Sequence, residues 1–294
     1  MTFVVEASPI RLDSRSTVVT PMTSSQELSY AVPALFASAA YCTPAQIASW
    51  SCGGNCNALP GVEIYGTGGN GADTQYWYVG YDPNHLGAIV VGHQGTDASK
   101  LKADLVDADF FLENLNPTLF PGVPASVRAH NGFLGTHSRS APGVLAAVQA
   151  AIRATGSKTI HLVGHSLGGA IALLDAIYLP LHLPPDTVFH TNTFGMPRVG
   201  NQAFADYVDA HVTSLARITN KKDLAPIIPG RFLGFHHASG EKHIVTTGTA
   251  SGDWYACEGQ DNTSDDCATG AVPNILEGDI SDHKGPYGAI LIEC

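Results

Sequence analysis

Thr159-Ile160-His161-Leu162-Val163-Gly164-His165-Ser166-Leu167-Gly168-Gly169, followed by Ala170-Ile171-Ala172-Leu173-Leu174, is the stretch on which the fold turns. The apolar run before the glycines reads as a buried strand, and the Ala/Leu-rich run after them reads as a helix. Between the two, Gly164-His165-Ser166-Leu167-Gly168 fits G-x-S-x-G. A nucleophilic serine at a strand-to-helix turn must be lifted above the sheet, so its neighbours must be small; Gly164, Gly168 and Gly169 supply that clearance. The helix N-terminus beside the serine favours negative charge.

Outward from this turn, elements alternate. A helix over 131–155, a strand over 158–163, a helix over 168–179, a strand over 187–194, a helix over 200–211 and a strand over 215–219 form successive βα units. Such units imply an α/β fold with a mostly parallel central sheet. Upstream, strand-like runs cover 62–65, 75–81 and 86–91, and a helix bent at Pro33 covers 27–41. The region 95–124 reads as irregular. No composition break marks a second domain, so residues 27–294 are expected to form one domain behind a polar, extended or mobile lead-in, 1–26.

The 294 residues are 44% hydrophobic, enough for a large core and too apolar for a disordered chain. With 15 Lys and Arg against 26 Asp and Glu, the net charge of −11 repels phosphate backbones and anionic headgroups. Nucleic acid is therefore excluded as a partner. Glu258, Asp261, Asp265, Asp266, Glu277, Asp279 and Asp282 follow one another without a Lys or Arg between them, which reads as a solvated loop.

Cys42, Cys52, Cys56, Cys257, Cys267 and Cys294 form an even set, for which disulfides and a metal site compete. Cys52 and Cys56 have no second pair at zinc-site spacing, which favours disulfides. Six cysteines allow fifteen connectivities; the one with local loops Cys52–Cys56 and Cys257–Cys267 leaves Cys42–Cys294 to join the chain ends. Asn262-Thr263-Ser264 is the only N-glycosylation sequon, because Pro117 blocks Asn116-Pro117-Thr118, and its acidic surroundings suit a surface acceptor. Disulfides and a sequon point to secretion. The N-terminus has only Phe3-Val4-Val5 as an apolar run, which is no signal peptide, so a signal is expected to have been removed ahead of Met1. The most apolar stretch, 160–181, is interrupted by His161, His165, Ser166, Asp175 and Pro180, so no transmembrane segment is expected.

IHLVGHSLGG at 160–169 resembles the serine signature of the secreted fungal class 3 lipases, the Rhizomucor and Thermomyces type, an α/β-hydrolase family that includes some feruloyl esterases. The resemblance runs from about Leu35 to Cys294. It implies an α/β-hydrolase fold with helices on both faces of the sheet, a lid segment, and a triad in the chain order Ser, Asp, His. Ser166 is then the nucleophile. Asp223, in Asn220-Lys221-Lys222-Asp223-Leu224-Ala225-Pro226-Ile227-Ile228-Pro229, matches the family's N-x-x-D-x-V-P-x-x-P with Ala225 for the valine. His283, in Asp279-Ile280-Ser281-Asp282-His283-Lys284-Gly285-Pro286-Tyr287, falls where the family keeps its base, with Tyr287 one residue later than the usual aromatic. His236, His237 and His243 also follow Asp223; the first two resemble a structural aromatic-x-His segment, and His243 starts a strand-like run, 243–247.

An acyl-transfer intermediate carries an alkoxide that needs at least two donors. Leu167 N–H is one. Gly92-His93-Gln94-Gly95-Thr96 resembles the family's F-R-G-[S/T] with His93-Gln94 for Phe-Arg, which makes Thr96 the other. The segment 98–112, with Leu101, Leu105, Ala108 and Leu112 at helical spacing among charged residues, occupies the position of the lid; an ordinary core helix is the alternative. It holds no tryptophan, so a weak or shortened lid, open to soluble esters, stays in view.

The expected function is that of a secreted, monomeric serine ester hydrolase acting at a lipid–water interface, a triacylglycerol lipase first and a feruloyl or other carboxylic ester hydrolase second. No cofactor or metal is called for. A silent hydrolase-fold binding protein is the reading from another class. It conflicts with the presence of Ser166, Asp223 and His283 together.

Overall fold

The segments flanking Ser166 form as the sequence predicts, a strand at Thr159–His165 and a helix at Leu167–Tyr178. The computed structural model describes residues 17–96, 110–248 and 250–294. In chain order its strands are β1 (Val19–Pro21), β2 (Glu63–Gly68), β3 (Trp77–Asp82), β4 (Ala88–His93), β5 (Leu112–Asn114), β6 (Arg128–His130), β7 (Thr159–His165), β8 (Val188–Phe194), β9 (Gly200–Asn201), β10 (Leu215–Asn220), β11 (Phe235–His236), β12 (Glu241–Ile244) and β13 (Trp254–Cys257).

Among the described residues, the central sheet has the order β1-β13-β12-β10-β8-β7-β4-β3-β2. Its five middle strands, β12, β10, β8, β7 and β4, are parallel, and both edges are antiparallel. Side chains alternate between two cores, as a sheet covered on both faces requires. Ile89, Val91, Ile160 and Leu162 pack under the helices Asn131–Thr155, Leu167–Tyr178 and Gln202–His211; Val90, Val163 and Ile218 pack under the helix Ala31–Ala39. This is the doubly covered α/β sheet expected, and the carboxyl ends of its parallel strands are where α/β sites gather.

Several expectations change. The segment 27–41 is two helices, Ser24–Leu28 and Ala31–Ala39, and Pro33 sits in the first turn of the second, where its missing N–H costs no hydrogen bond. β1 pairs with β13, so the end of the expected lead-in is an edge strand of the sheet. The region 95–124 contains β5, which joins β6, β9 and β11 in a small second sheet. The lid assignment, 98–112, lies outside the described residues as far as 109, and its last residue, Leu112, is in β5 rather than a helix. Strand ends shift by one to three residues elsewhere, as for β12, which spans Glu241–Ile244.

Cys42–Cys294, Cys52–Cys56 and Cys257–Cys267 are all bonded. Two features of the acidic stretch differ from a solvated loop. Asp261 is buried against Arg198 (Nε to Oδ1 2.8 Å) and His236. Asn262 is fully buried; its amide donates to the carbonyls of Val18 and Glu258, each at 2.9 Å, and its Oδ1 accepts from Ser264 N. The sequon asparagine is therefore a turn-locking side chain and not a surface acceptor in the folded state.

Candidate active site

Ser166 closes β7 with φ 57° and ψ −130°, a left-handed backbone that costs a non-glycine residue about 1–3 kcal/mol. Its surroundings hold it there. Ser166 N donates to Phe194 O at 2.8 Å, and a Cβ at Gly164 would stand 2.2 Å from Gly168 O. Ser166 is the N-cap of the helix Leu167–Tyr178 but makes no side-chain cap bond, so its hydroxyl is not committed to the helix. Leu167 N–H belongs to the first helical turn, whose N–H groups lack intrahelical partners.

Asp223 and His283 come together although 60 residues separate them. His283 Nδ1 lies 3.0 Å from Asp223 Oδ1 and 2.9 Å from Oδ2, and both side chains are buried. Asp223 also accepts from Ala225 N at 2.9 Å. The carboxylate can only accept here, so His283 Nδ1 carries the hydrogen and Nε2 is the bare nitrogen. That Nε2 is buried and has no hydrogen-bond partner among the described residues. Gly195, one residue after the carbonyl that holds Ser166 N–H, ties the groups together: a Cβ there would be 3.0 Å from both Asp223 Oδ2 and His283 Cε1.

The short turn Ile280–Lys284 that carries His283 is fixed from several sides. Asn220 Nδ2 donates to Asp282 O at 2.7 Å, Asp279 N to Lys222 O at 2.7 Å and Tyr287 Oη to His283 O at 3.0 Å. Burial, and then the charge of Asp223, push the Tyr287 phenol well above its usual pKa, which keeps it a donor. His165 Nε2 lies 2.7 Å from the same His283 carbonyl and Nδ1 lies 2.7 Å from Tyr41 Oη. Sequence reasoning marks Tyr287 only as a displaced aromatic after His283 and does not find the roles of Tyr41 and His165. His165 lies inside the G-x-S-x-G motif, but its partners lie more than a hundred residues away on either side.

The other three histidines have structural partners. His237 Nε2 donates to Pro226 O at 2.8 Å, His236 pairs with Asp261 at 3.3 Å, and His243 Nδ1 meets Thr219 Oγ1 at 2.9 Å.

The loop 94–96 lies directly over the elbow. A Cβ on Gly95 would be 2.5 Å from His165 O and 2.9 Å from Ser166 Cβ, which is why glycine stands there. Gln94 N donates to Tyr76 O at 2.9 Å, Gln94 Oε1 accepts from Tyr76 N at 3.0 Å, and Gln75 Nε2 donates to Gly95 O at 3.0 Å. Thr96 follows, half-buried. The departure from the Phe-Arg pair thus has its own anchors.

Residues 90–233 match the family model described as Lipase (class 3). The chain is 31% identical over 238 residues to a secreted mono- and diacylglycerol lipase of Malassezia globosa, a match covering 79% of this chain and 75% of that one. A second secreted mono- and diacylglycerol lipase of the same organism is 31% identical over 220 residues, covering 73% and 69%. Among solved structures, lipase II from Rhizopus niveus resembles it with a TM-score of 0.79 at 26% identity, over 93% of this chain and 98% of that one. An elbow serine, a buried Asp–His pair at the sheet's carboxyl edge and a relative 31% identical over three quarters of its length lead to one conclusion: the chain belongs to the class 3 lipase family.

Proposed function

We propose that this protein is a secreted serine ester hydrolase that cleaves acylglycerol esters through an acyl-enzyme on Ser166. The observation that carries the reading is the polarity of His283: Nδ1–H on Asp223, with a bare, buried Nε2 at the end of the sheet where Ser166 stands. In this reading Nε2 takes the Ser166 proton as Oγ attacks the ester carbonyl, and Asp223 holds the tautomer and stabilises the imidazolium. Leu167 N–H and the N–H and hydroxyl of Thr96 receive the oxyanion. His283 then protonates the leaving glyceride oxygen, and water returns along the same path to release the fatty acid. No step needs a metal or cofactor.

Secretion is supported by the three disulfides and by relatives named as secreted lipases. Among the described residues no helix is long and apolar enough to cross a membrane. A monomer suffices, since every residue assigned a role comes from one chain. Initial rates on a tributyrin emulsion and on methyl ferulate test the substrate class. Fast butyrate release that is lost in Ser166→Ala is expected; fast ferulate release without butyrate release would transfer the protein to the aromatic esterases.

A further inference from the structure

One buried carboxylate joins three elements around the elbow and has no part in the chemistry above. Asp175, on the helix Leu167–Tyr178, accepts from His93 Nε2 at 2.7 Å through Oδ2 and from His137 Nε2 at 3.0 Å through Oδ1. His93 ends β4, and His137 lies on the helix Asn131–Thr155. All three side chains are at most 1% exposed. Burial raises the Asp175 pKa, but hydrogen bonds from His137 and His93 and their charges outweigh it and hold the group at about 2. It is therefore an ionised acceptor at working pH, and both imidazoles donate to it.

The placement of His93 gives this pair a consequence beyond packing. Its backbone leads straight into Gln94-Gly95-Thr96, and it presses against the helix that starts with the other oxyanion donor: a Cβ on Gly168 would be 2.2 Å from His93 O and 2.8 Å from Gln94 C. Helix and loop meet here backbone to backbone. Gln75 and Tyr76 hold the loop from β3's side. From the opposite side, the His93–Asp175 bond fixes β4's end to the very helix whose first N–H faces the oxyanion.

We infer that His93 and Asp175 are positioning residues that set the distance between the Thr96 and Leu167 donors, so that the oxyanion hole is preformed. The inference rests on the reading of Ser166 as nucleophile and of Thr96 and Leu167 as donors. His137 shares the carboxylate from the helix Asn131–Thr155; its Nδ1 has no partner among the described residues, and it serves as the internal control. Its loss should lower stability alone.

The test compares kcat and KM on p-nitrophenyl butyrate, and the rate of Ser166 labelling by a p-nitrophenyl alkylphosphonate, in four variants. His93→Leu removes the donor, His93→Asn places its amide short of Asp175, His93→Gln restores a donor at the Nε2 position, and His137→Leu is the control. In His93→Leu and His93→Asn, kcat and the labelling rate should fall together by roughly ten- to a hundredfold with KM nearly unchanged, the signature of an interaction made in the transition state. His93→Gln should recover most of both, and His137→Leu should lower the melting temperature and leave kcat near wild type. Wild-type kcat in a folded His93→Asn protein, or an equal kcat loss in His137→Leu, would overturn the positioning role. Wild-type protein that the phosphonate does not label at Ser166 would instead overturn the underlying reading of the nucleophile.

Discussion

His165 donates Nε2–H to the carbonyl oxygen of His283 at 2.7 Å, with the two rings 4.3 Å apart. The direction follows from the acceptor, since a carbonyl cannot donate. His165 Nδ1 must then accept the hydrogen of Tyr41 Oη. Burial first, and then the neighbouring His283 and Lys284 charges, hold His165 well below its usual pKa, so it stays neutral and keeps this tautomer. The residue before the nucleophile thus fixes the backbone of the proposed base.

His165→Leu should therefore lower kcat by roughly ten- to a hundredfold, the scale of small misplacements of reacting groups. His165→Gln, whose amide can reach the same carbonyl, should retain most of the activity. Steady-state kinetics on a soluble butyrate ester decide it, and equal losses in the two variants would mean that volume and not the hydrogen bond matters.

Gly195 has φ +55°, and a Cβ there would stand 2.6 Å from Tyr287 Oη besides its 3.0 Å approaches to Asp223 and His283. Gly195→Ala combines a strained backbone with displacement of the proposed triad, and should cost about a hundredfold or more in kcat. Far-ultraviolet circular dichroism should stay unchanged; wild-type turnover would show that the Asp223–His283 pair can move without consequence.

Cys42–Cys294 joins residues 252 apart and fastens the tail beyond His283 to the helical face at Ala31–Ala39. Ser38 Oγ and Asn55 Nδ2 also donate to Glu293 O, at 2.7 and 2.8 Å. In the chain-entropy account, opening so long a loop removes at most about 5 kcal/mol. The Cys42→Ala/Cys294→Ala protein should melt at a clearly lower temperature and still hydrolyse ester at low temperature, because His283 keeps its bonds to Asp223, His165 and Tyr287. A melting temperature equal to wild type would show that the hydrogen bonds alone hold the tail.

Asn262 is expected to carry no glycan in the folded protein, since its amide nitrogen is enclosed and already donates twice. Endoglycosidase treatment of protein secreted from a fungal host should leave the mass of the peptide containing Asn262 unchanged. Asn262→Gln should instead destabilise the fold by about 1–3 kcal/mol through unpaired backbone carbonyls. A glycan on that peptide would show that modification precedes closure of the Cys257–Cys267 loop.

What could be read from the chain depended on how local each signal is. The elbow at Ser166, the helix 131–155 and the buried strands are written in adjacent residues, through glycine spacing and hydrophobic period, and they formed with small shifts at their ends. The three disulfides followed because two pairs are close in sequence. By contrast, β5, β6, β9 and β11 are two or three residues long, too short to show a period. The His93–Asp175–His137 cluster joins side chains up to 82 residues apart, and nothing in any of their neighbourhoods announces the others. Asp261 and Asn262 looked solvent-facing because polar residues usually are; Arg198 and the backbone of Val18 and Glu258 provide partners that make their burial tolerable.

Acid should destabilise this protein at an unusually high pH. Burial lowers His130 to about 4; burial, and then the charge of His190, lower His161 to about 4. Both titrate near 6.5 in the unfolded chain, so below that pH the unfolded state binds more protons than the folded one. Their contribution to stability is complete above pH 6.5 and is lost as the pH falls from 6.5 towards 4, each at up to about 1.4 kcal/mol per pH unit. Carboxylates held low, such as Asp175 at about 2, begin to be lost only below pH 4. His161 Nδ1 is buried without a partner among the described residues, so His161→Phe removes a titrating group and none of the described hydrogen bonds from that atom. Guanidinium midpoints at pH 7.5, 6 and 5 should fall steadily in the wild type and less steeply in His161→Phe, by up to one histidine's slope. Identical slopes in the two proteins would place the acid sensitivity elsewhere.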